Sequence, residues 1–224
     1  MTANINLIMD TLNCIKGRRC VRAFKTREIP EELLYNILEA AQWAPSSGNL
    51  QTTRLIVVTD KAKKAAIARA ALGQAFIAQA PVVLIVCSET SIVKRNYRER
   101  GEKLYSIQNT AAAIQNIMLA AYDKGLATNW VGAFTEARLR KEFEIPTKVD
   151  IHAIIPIGYP AEWPRAPARI PLADITYFKK WGAHEAGESL WPLEESAPRI
   201  AKKVIKKAKK TVGKVKRKIK RRKR

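Results

Sequence analysis

The sequence has few of the residues from which metal centres and disulfide frameworks are built. Its 224 residues include three cysteines, Cys14, Cys20 and Cys87, and two histidines, His152 and His184. The cysteines show no CxxC spacing and their number is odd, which favours a reducing compartment. A zinc site is therefore not expected, and neither histidine is assigned a catalytic role.

Long apolar runs are also missing. The longest, VVLIVC at 82–87, is far shorter than the roughly 20 residues that a membrane-spanning helix needs. The N-terminal stretch MTANINLIMD lacks the basic start and apolar core of a secretory signal peptide. No GxGxxG fingerprint occurs, so a separate nicotinamide-binding domain is not expected. These absences predict a cytoplasmic protein.

Acidic residues are absent from the C-terminal segment. Residues 199–224 carry 16 Lys and Arg, whereas residues 1–198 hold 25 basic and 20 acidic residues. The sequence therefore divides into a body over 1–182, an acidic Pro-containing linker over 183–198 and a basic tail over 199–224.

The aliphatic side chains of the basic tail fall on one side of a helical projection, which predicts a basic amphipathic helix. Three interpretations stay open: binding to an anionic membrane surface, electrostatic binding to nucleic acid, and a solubilising tail. The aliphatic stripe favours the membrane, because nucleic-acid binding does not require one. The membrane interpretation adds a peripheral attachment to the cytoplasmic location.

Helical and strand patterns alternate irregularly along the body and predict a mixed α+β layer fold. LIVVTD at 55–60 and VVLIVCS at 82–88 are apolar runs of the kind found in strands covered on both faces, and 152–160 is a third strand pattern. Helices are predicted over 5–16, from 31 onward, and over 61–79, 104–124 and 135–144. The longest has an apolar stripe of Leu104, Ile107, Ala111, Ile114, Met118, Ala121 and Tyr122 and ends at Gly125. Periodicity is lost after 160, which predicts an extended arm.

Four segments carry the candidate chemistry, and each has a plain structural alternative. Three arginines lie within RRCVR at 18–22; their guanidinium forks suit phosphate, although a solvated basic turn explains them too. WAPSSGNLQ at 43–51 offers groups that suit the rim of a planar heterocycle, or is a helix stop and turn. In NWVGAF at 129–134 the glycine lets a ligand approach, or marks a bend. RIPL at 169–172 contributes one arginine.

The order and spacing of these segments, together with FIAQAPVVLIV and IPIGYPAEWP, make the sequence similar to the FMN-dependent nitroreductase family over about residues 12–182. The resemblance implies a mixed sheet flanked by helices in an intertwined homodimer, with two FMN sites at the subunit interface. It also implies that the C-terminal arm wraps the partner subunit.

The resemblance further implies which residues bind FMN. The segment that holds the phosphate, the ribityl chain and the pyrimidine edge matches Arg18, Arg19, Cys20 and Arg22. The loop contributed by the partner subunit matches Pro45, Ser46 and Asn49. The segment near the reactive side of the flavin matches Trp130, Val131 and Gly132, and the late phosphate-binding arginine matches Arg169.

The implied activity is reduction of nitroaromatics, quinones or similar electron-poor acceptors by NADH or NADPH in a ping-pong mechanism. Arg22 is the candidate for stabilising negative charge on the reduced flavin, with phosphate contact as the alternative. The sequence departs from the family at Cys20, where serine is usual, and at Thr52-Thr53, where Pro-Trp is usual. The competing hypothesis is a polyanion-binding protein with a vestigial flavin fold.

Overall fold

A computed structural model of the protein describes residues 10–183. The chain divides into two compact units, of which residues 10–166 and 167–183 are the described parts. Residues 5–9 of the helix predicted over 5–16, residues 184–198 of the predicted linker and the whole basic tail lie outside the described residues. The division into body, linker and tail therefore stays a prediction.

The first unit is built on one four-stranded sheet. Its strands are β1 (Thr53–Val58), β2 (Val82–Ser88), β3 (Ala127–Thr128) and β4 (Asp150–Gly158). The spatial order is β1-β2-β4-β3 with antiparallel neighbours, and an isolated parallel bridge joins Cys20 to Thr128. β1 begins two residues before the apolar run, because Thr53 already pairs with Ser88.

Within residues 10–166, seven α-helices surround the sheet: α1 (Thr11–Gly17), α2 (Glu31–Glu39), α3 (Lys61–Ala70), α4 (Phe76–Gln79), α5 (Thr90–Arg100), α6 (Ser106–Asp123) and α7 (Glu136–Phe143). The region predicted as one helix over 61–79 is two helices separated by a turn. A π-helical segment, Gly101–Tyr105, leads into α6. α5 was not predicted. The mixed α+β architecture is confirmed.

The sheet lies between two layers of helices. Alternate side chains of β2 pack with residues of α3, α4 and α7 on one face and with residues of α2 and α6 on the other. All seven residues of β2 are buried, as predicted. For β1 the prediction of cover on both faces is wrong within this chain: β1 is an edge strand, and Val57 is 42% exposed.

The buried face of α6 differs from the predicted apolar stripe. Ile107 is exposed, whereas three polar residues are buried: Ser106, Asn109 and Thr110. The hydroxyls of Ser106 and Thr110 donate to helix carbonyls one turn back, at 2.6 and 3.0 Å, so their burial leaves no donor unpaired. α6 ends as predicted at Gly125, which has a φ of 72°.

The described part of the second unit contains one short 3-10 turn, Leu172–Asp174, in otherwise irregular chain. The rings of Tyr177 and Trp181 lie 4.8 Å apart. The predicted loss of periodicity after 160 is confirmed for residues 161–183. None of the helices within residues 10–183 combines the length and the apolar content needed to span a bilayer.

Candidate functional site

The RRCVR segment begins where α1 ends. The backbone N–H of Arg18 donates to the carbonyl of Cys14 at 2.9 Å and closes the last turn. Nη1 of Arg19 lies 2.6 to 2.8 Å from the carbonyls of Lys16, Gly17 and Arg18. These carbonyls form the negative end of the helix, so the guanidinium of Arg19 caps α1.

The same segment is attached to the strand that precedes NWVGAF. Cys20 forms the parallel bridge with Thr128, and the N–H of Val21 donates to the Thr128 carbonyl at 3.0 Å. The buried side chain of Asn129 donates from Nδ2 to the Val21 carbonyl at 3.1 Å. The structure therefore brings residues 18–22 together with residues 128–132, which are more than a hundred positions away in the chain.

Residues 130–132 present an open face beside this junction. Val131 exchanges two backbone hydrogen bonds of 3.0 Å with Ile154 of β4, which fixes the segment to the sheet. Trp130 is 38% exposed. A Cβ placed on Gly132 would meet no atom within 4 Å, so a planar ligand can approach the backbone here without a clash.

Two polar atoms at the junction are buried and lack a hydrogen-bond partner within residues 10–183: Nε of Arg18 and Oγ1 of Thr128. Nη1 of Arg18 points to Cys20, with 3.8 Å between the nitrogen and Sγ. Cys20 and Arg22 are exposed. Unpaired buried donors in a folded protein call for a ligand, water or ion. Guanidinium and hydroxyl groups both donate hydrogen bonds to the oxygens of a phosphate ester, so Arg18 and Thr128 fit the phosphate end of FMN.

The WAPSSGNLQ segment forms a loop between α2 and β1. It contains a short 3-10 turn, Ser47–Asn49, in which Gly48 has a φ of 56°. Both the backbone N–H and the hydroxyl of Ser47 donate to Oδ1 of Asn109 on α6, at 3.0 and 3.1 Å. The loop is thus fixed to the central helix rather than left as a free surface turn.

A cavity of about 590 Å³ opens between this loop, α2, β1 and α6. Its size is within the range of small-molecule sites. Pro45 and Ser46 form part of its wall, with an exposed tyrosine on one side and an arginine on the other, and the full lining is Tyr35, Leu38, Glu39, Ala41, Gln42, Ala44, Pro45, Ser46, Gln51, Thr53, Arg54, Leu55 and Asn109.

The predicted site residues thus fall into three groups. Arg18 to Arg22 and Trp130 to Gly132 share one junction, whereas Pro45, Ser46 and Asn49 belong to the loop attached to α6. Arg169 lies in the second unit, where Nη1 donates to the carbonyls of Pro167 and Ala168 at 3.4 and 3.2 Å.

Sequence reasoning missed two asparagines that organise these groups, Asn109 and Asn129. Both are buried, at 5% and 3% exposure. The available signal was an amide side chain inside an otherwise small or apolar stretch, because a buried amide is retained where it can form hydrogen bonds.

Three titratable groups have environments that keep them neutral near pH 7. Burial raises the pKa of the Cys87 thiol to about 11. Burial, followed by the negative charges of Asp123 and Asp10, raises the pKa of Cys14. Burial lowers the pKa of His152, opposed by Asp150 and Glu136. None of these three groups is set up as a nucleophile or a cationic acid at neutral pH.

The model of the nitroreductase family matches residues 15–79 and 68–159. A protein of Methanothermobacter thermautotrophicus, provisionally named NADH dehydrogenase/NAD(P)H nitroreductase, is 38% identical over 162 residues, which are 70% of this chain and 80% of that protein. The FMN reductase [NAD(P)H] of Bacillus subtilis is 28% identical over 184 residues, covering 75% of this chain and 73% of the relative.

Among solved structures, nitroreductase A from Vibrio parahaemolyticus superposes with a TM-score of 0.72 at 24% sequence identity, and 79% of each chain is covered. At this identity the likeness concerns the fold. The matched family segments include the RRCVR segment, the loop and the NWVGAF segment. The chain therefore belongs to the nitroreductase family.

Proposed function

We propose that this protein is an FMN-dependent oxidoreductase that uses NADH or NADPH to reduce nitroaromatics, quinones or similar electron-poor acceptors. The relative named FMN reductase [NAD(P)H] and the relative named for NADH dehydrogenase and nitroreductase activities support this class of reaction. The observation that carries the proposal is the junction of residues 18–22 with 128–132, where buried Arg18 Nε and Thr128 Oγ1 have no partner within residues 10–183.

Each predicted residue then has a task. Arg18 and Arg22 neutralise and orient the phosphate of FMN, and Arg169 keeps its sequence-based assignment as a phosphate-binding arginine. Cys20 lines the same segment, where its thiol is a weaker hydrogen-bond partner than a hydroxyl. Arg19, which caps α1, fixes the backbone at the start of the segment while its positive charge adds to the local potential.

FMN, when bound, supplies the hydride and electron chemistry at N5 of its ring system. The contribution of the chain is binding, orientation and charge. Trp130, Val131 and Gly132 contact FMN near its reactive side, where a Cβ on Gly132 would meet no atom within 4 Å, so one open face is left for a flat nicotinamide or acceptor. Arg22 provides positive charge for the reduced state or binds the phosphate; both tasks use an exposed guanidinium.

A second copy of the chain completes this proposal. Pro45, Ser46 and Asn49 are held against α6, and we propose that they serve the FMN site of a partner subunit in a homodimer. Large apolar side chains left exposed on α1, α2, the turn after α2 and α6 support an interface there; they include Leu12, Ile15, Tyr35, Trp43 and Ile107.

Steady-state kinetics with the holoenzyme test the reaction. NADH and a quinone such as menadione are varied together, and parallel double-reciprocal lines are expected for a ping-pong mechanism, since both substrates use one open face. Intersecting lines would contradict the shared face.

Size-exclusion chromatography with light scattering tests the homodimer. We expect a mass of about twice the 25.1 kDa of the chain.

We also propose that the basic tail, which lies outside the described residues, attaches the enzyme to an anionic membrane surface. Its charge and aliphatic stripe support this interpretation. Truncation after Pro198 is expected to abolish sedimentation with phosphatidylserine vesicles while turnover is unchanged. Sedimentation that survives truncation, or binding to DNA but not to vesicles, contradicts the membrane interpretation.

A further inference from the structure

The loop between α2 and β1 has an uncommon backbone. Gly48, Asn49 and Gln51 all have positive φ, at 56°, 56° and 49°; glycine and, less readily, asparagine adopt this region, whereas glutamine rarely does. Hydrogen bonds within the loop, such as the one from Gln51 N–H to Ser46 Oγ at 3.1 Å, join residues close in the chain. A conformation of this kind persists only where surrounding structure over-determines it.

Asn109 of α6 supplies an anchor from outside the loop. Its Oδ1 accepts from the backbone N–H of Ser47 at 3.0 Å and from the Ser47 hydroxyl at 3.1 Å. Since a backbone N–H can only donate, the amide atom that faces it must be oxygen, which fixes the orientation of the side chain. The residue is 5% exposed, so water does not compete for these bonds.

The other end of the same amide has no such partner. Nδ2 of Asn109 is buried and lacks a hydrogen-bond acceptor within residues 10–183. A buried donor without a partner costs stability, and an apolar side chain of similar size would avoid that cost. Asparagine at this position therefore lowers stability through its unpaired Nδ2, while its Oδ1 holds the loop.

The opposite side of the loop is also confined. A Cβ on Gly48 would lie 2.5 Å from the hydroxyl oxygen of Tyr97 on α5, so Gly48 lies against the hydroxyl end of that side chain. Arg98, which follows, has φ 54° and ψ −144°, a conformation that side chains rarely adopt. The loop is thus held between a hydrogen-bonded anchor on α6 and a close contact from α5.

We propose that Asn109 is a positioning residue for cofactor binding: through Ser47 it holds Pro45, Ser46 and Asn49 in the geometry that contacts the flavin. This inference rests on the proposed function, because those three residues are the ones expected to contact the FMN of the partner subunit's site. Asn109 itself acts through Ser47 rather than on the flavin.

A double-mutant cycle on FMN affinity tests the proposal. Wild type, Ser47→Ala, Asn109→Leu and the double variant are freed of FMN and titrated with FMN while its fluorescence is followed. One hydrogen bond corresponds to a factor of about 2 to 10 in Kd. Ser47→Ala removes one of the two bonds to Asn109, and we expect the Kd for FMN to rise about threefold. Asn109→Leu removes both bonds, and we expect the Kd to rise at least about tenfold. Because Asn109 acts through Ser47, the double variant should bind within about twofold of Asn109→Leu. A Kd that multiplies the two single effects overturns the proposal.

Asn116→Leu is the matched control. Asn116 lies two turns further along α6, and its Nδ2 donates to the Ala40 carbonyl at 3.1 Å rather than to the loop. We expect its FMN affinity to stay within about twofold of wild type, while its melting temperature falls. An equal loss of affinity in Asn116→Leu and Asn109→Leu would mean that α6 stability, not the loop, governs binding.

Two further outcomes are decisive. If Asn109→Leu does not fold, Ser47→Ala carries the test alone, and unchanged affinity in that folded variant overturns the proposal. If wild type itself does not bind FMN, the proposed function fails and this inference with it; if wild type binds and Asn109→Leu binds equally well, only this inference fails.

Discussion

Replacing Arg18 by methionine separates cofactor binding from stability. Methionine keeps an unbranched stem but removes the guanidinium, whose Nε is buried without a partner within the described chain and whose Nη1 makes one long contact to Cys20 Sγ at 3.8 Å. The folded protein without FMN thus gains little from this guanidinium. We expect the free energy of unfolding of the FMN-free protein to change by less than about 1 kcal/mol.

The affinity for FMN should respond far more strongly. A hydrogen bond to a charged group contributes about 1.5–3 kcal/mol, which corresponds to a factor of about 10 to 150 in Kd. Fluorescence titration of the FMN-free variant measures this change, and urea unfolding of the same sample measures stability. An Arg18→Met variant that binds FMN as tightly as wild type would refute the assignment of Arg18 to the phosphate.

Arg27→Met is the matched control for that experiment. The guanidinium carbon of Arg27 lies 4.1 Å from the centroid of the Tyr159 ring, so its partner is within the protein. We expect this variant to lose about 0.5–1 kcal/mol of stability and to bind FMN with unchanged affinity. The two variants therefore differ in the property that changes. Arg18→Met loses affinity for FMN, and Arg27→Met loses stability.

Three further results are expected. Gly48→Ala should lower the free energy of unfolding by about 1–3 kcal/mol in urea titrations, because Gly48 has a positive φ and its Cβ would clash with the Tyr97 hydroxyl. Gly73→Ala, with a φ of 75° and no atom within 4 Å of the added Cβ, should lose less stability. Equal losses would refute the contribution of the clash with Tyr97. Burial lowers the pKa of His152 below the usual 6.5, so the unfolded chain binds the proton more tightly and stability falls as pH drops through 6.5. His152→Gln should make this fall less steep, by at most about 1.4 kcal/mol per pH unit. Identical pH profiles of unfolding for the variant and the wild type would refute the lowered pKa of His152. Iodoacetamide should label the exposed Cys20, and FMN should block the labelling detected by mass spectrometry; labelling that FMN does not slow would place the cofactor elsewhere.

The parts of the fold that follow from hydropathy could be predicted from the sequence. β2 is buried on both faces, and its apolar run coincides with the strand. The end of α6 at Gly125 follows from the left-handed conformation that glycine adopts readily. β1 has a similar apolar run but is an edge strand, and composition alone does not distinguish an edge strand from a central one.

The parts that depend on polar contacts could not be predicted in this way. α5 has the sequence TSIVKRNYRER, in which Thr90 and Val93 are the buried residues, too few to give a clear helical period. On α6, Ser106, Asn109 and Thr110 are buried because their side chains are hydrogen-bonded, so a stripe drawn through apolar residues alone lies off the buried face.

The candidate site shows the same division. The guanidinium cluster at 18–22 could be identified from residue type and spacing, and its junction with 128–132 is formed by backbone bonds that carry no sequence signature. Asn129 ties the two segments through the Val21 carbonyl, a contact between residues far apart in the chain. The resemblance to a family identified the segments, whereas the structure gave the contacts that hold them.

The visible absorption spectrum of the purified protein tests whether the chain binds FMN and accepts electrons from a nicotinamide. The spectrum is recorded after FMN is supplied and the excess removed, and again after NADH or NADPH is added without oxygen. We expect a bound flavin band that bleaches with one or both nicotinamides and returns when a quinone is added. A protein that stays colourless after incubation with FMN, or a bound flavin that neither nicotinamide bleaches, would contradict this expectation.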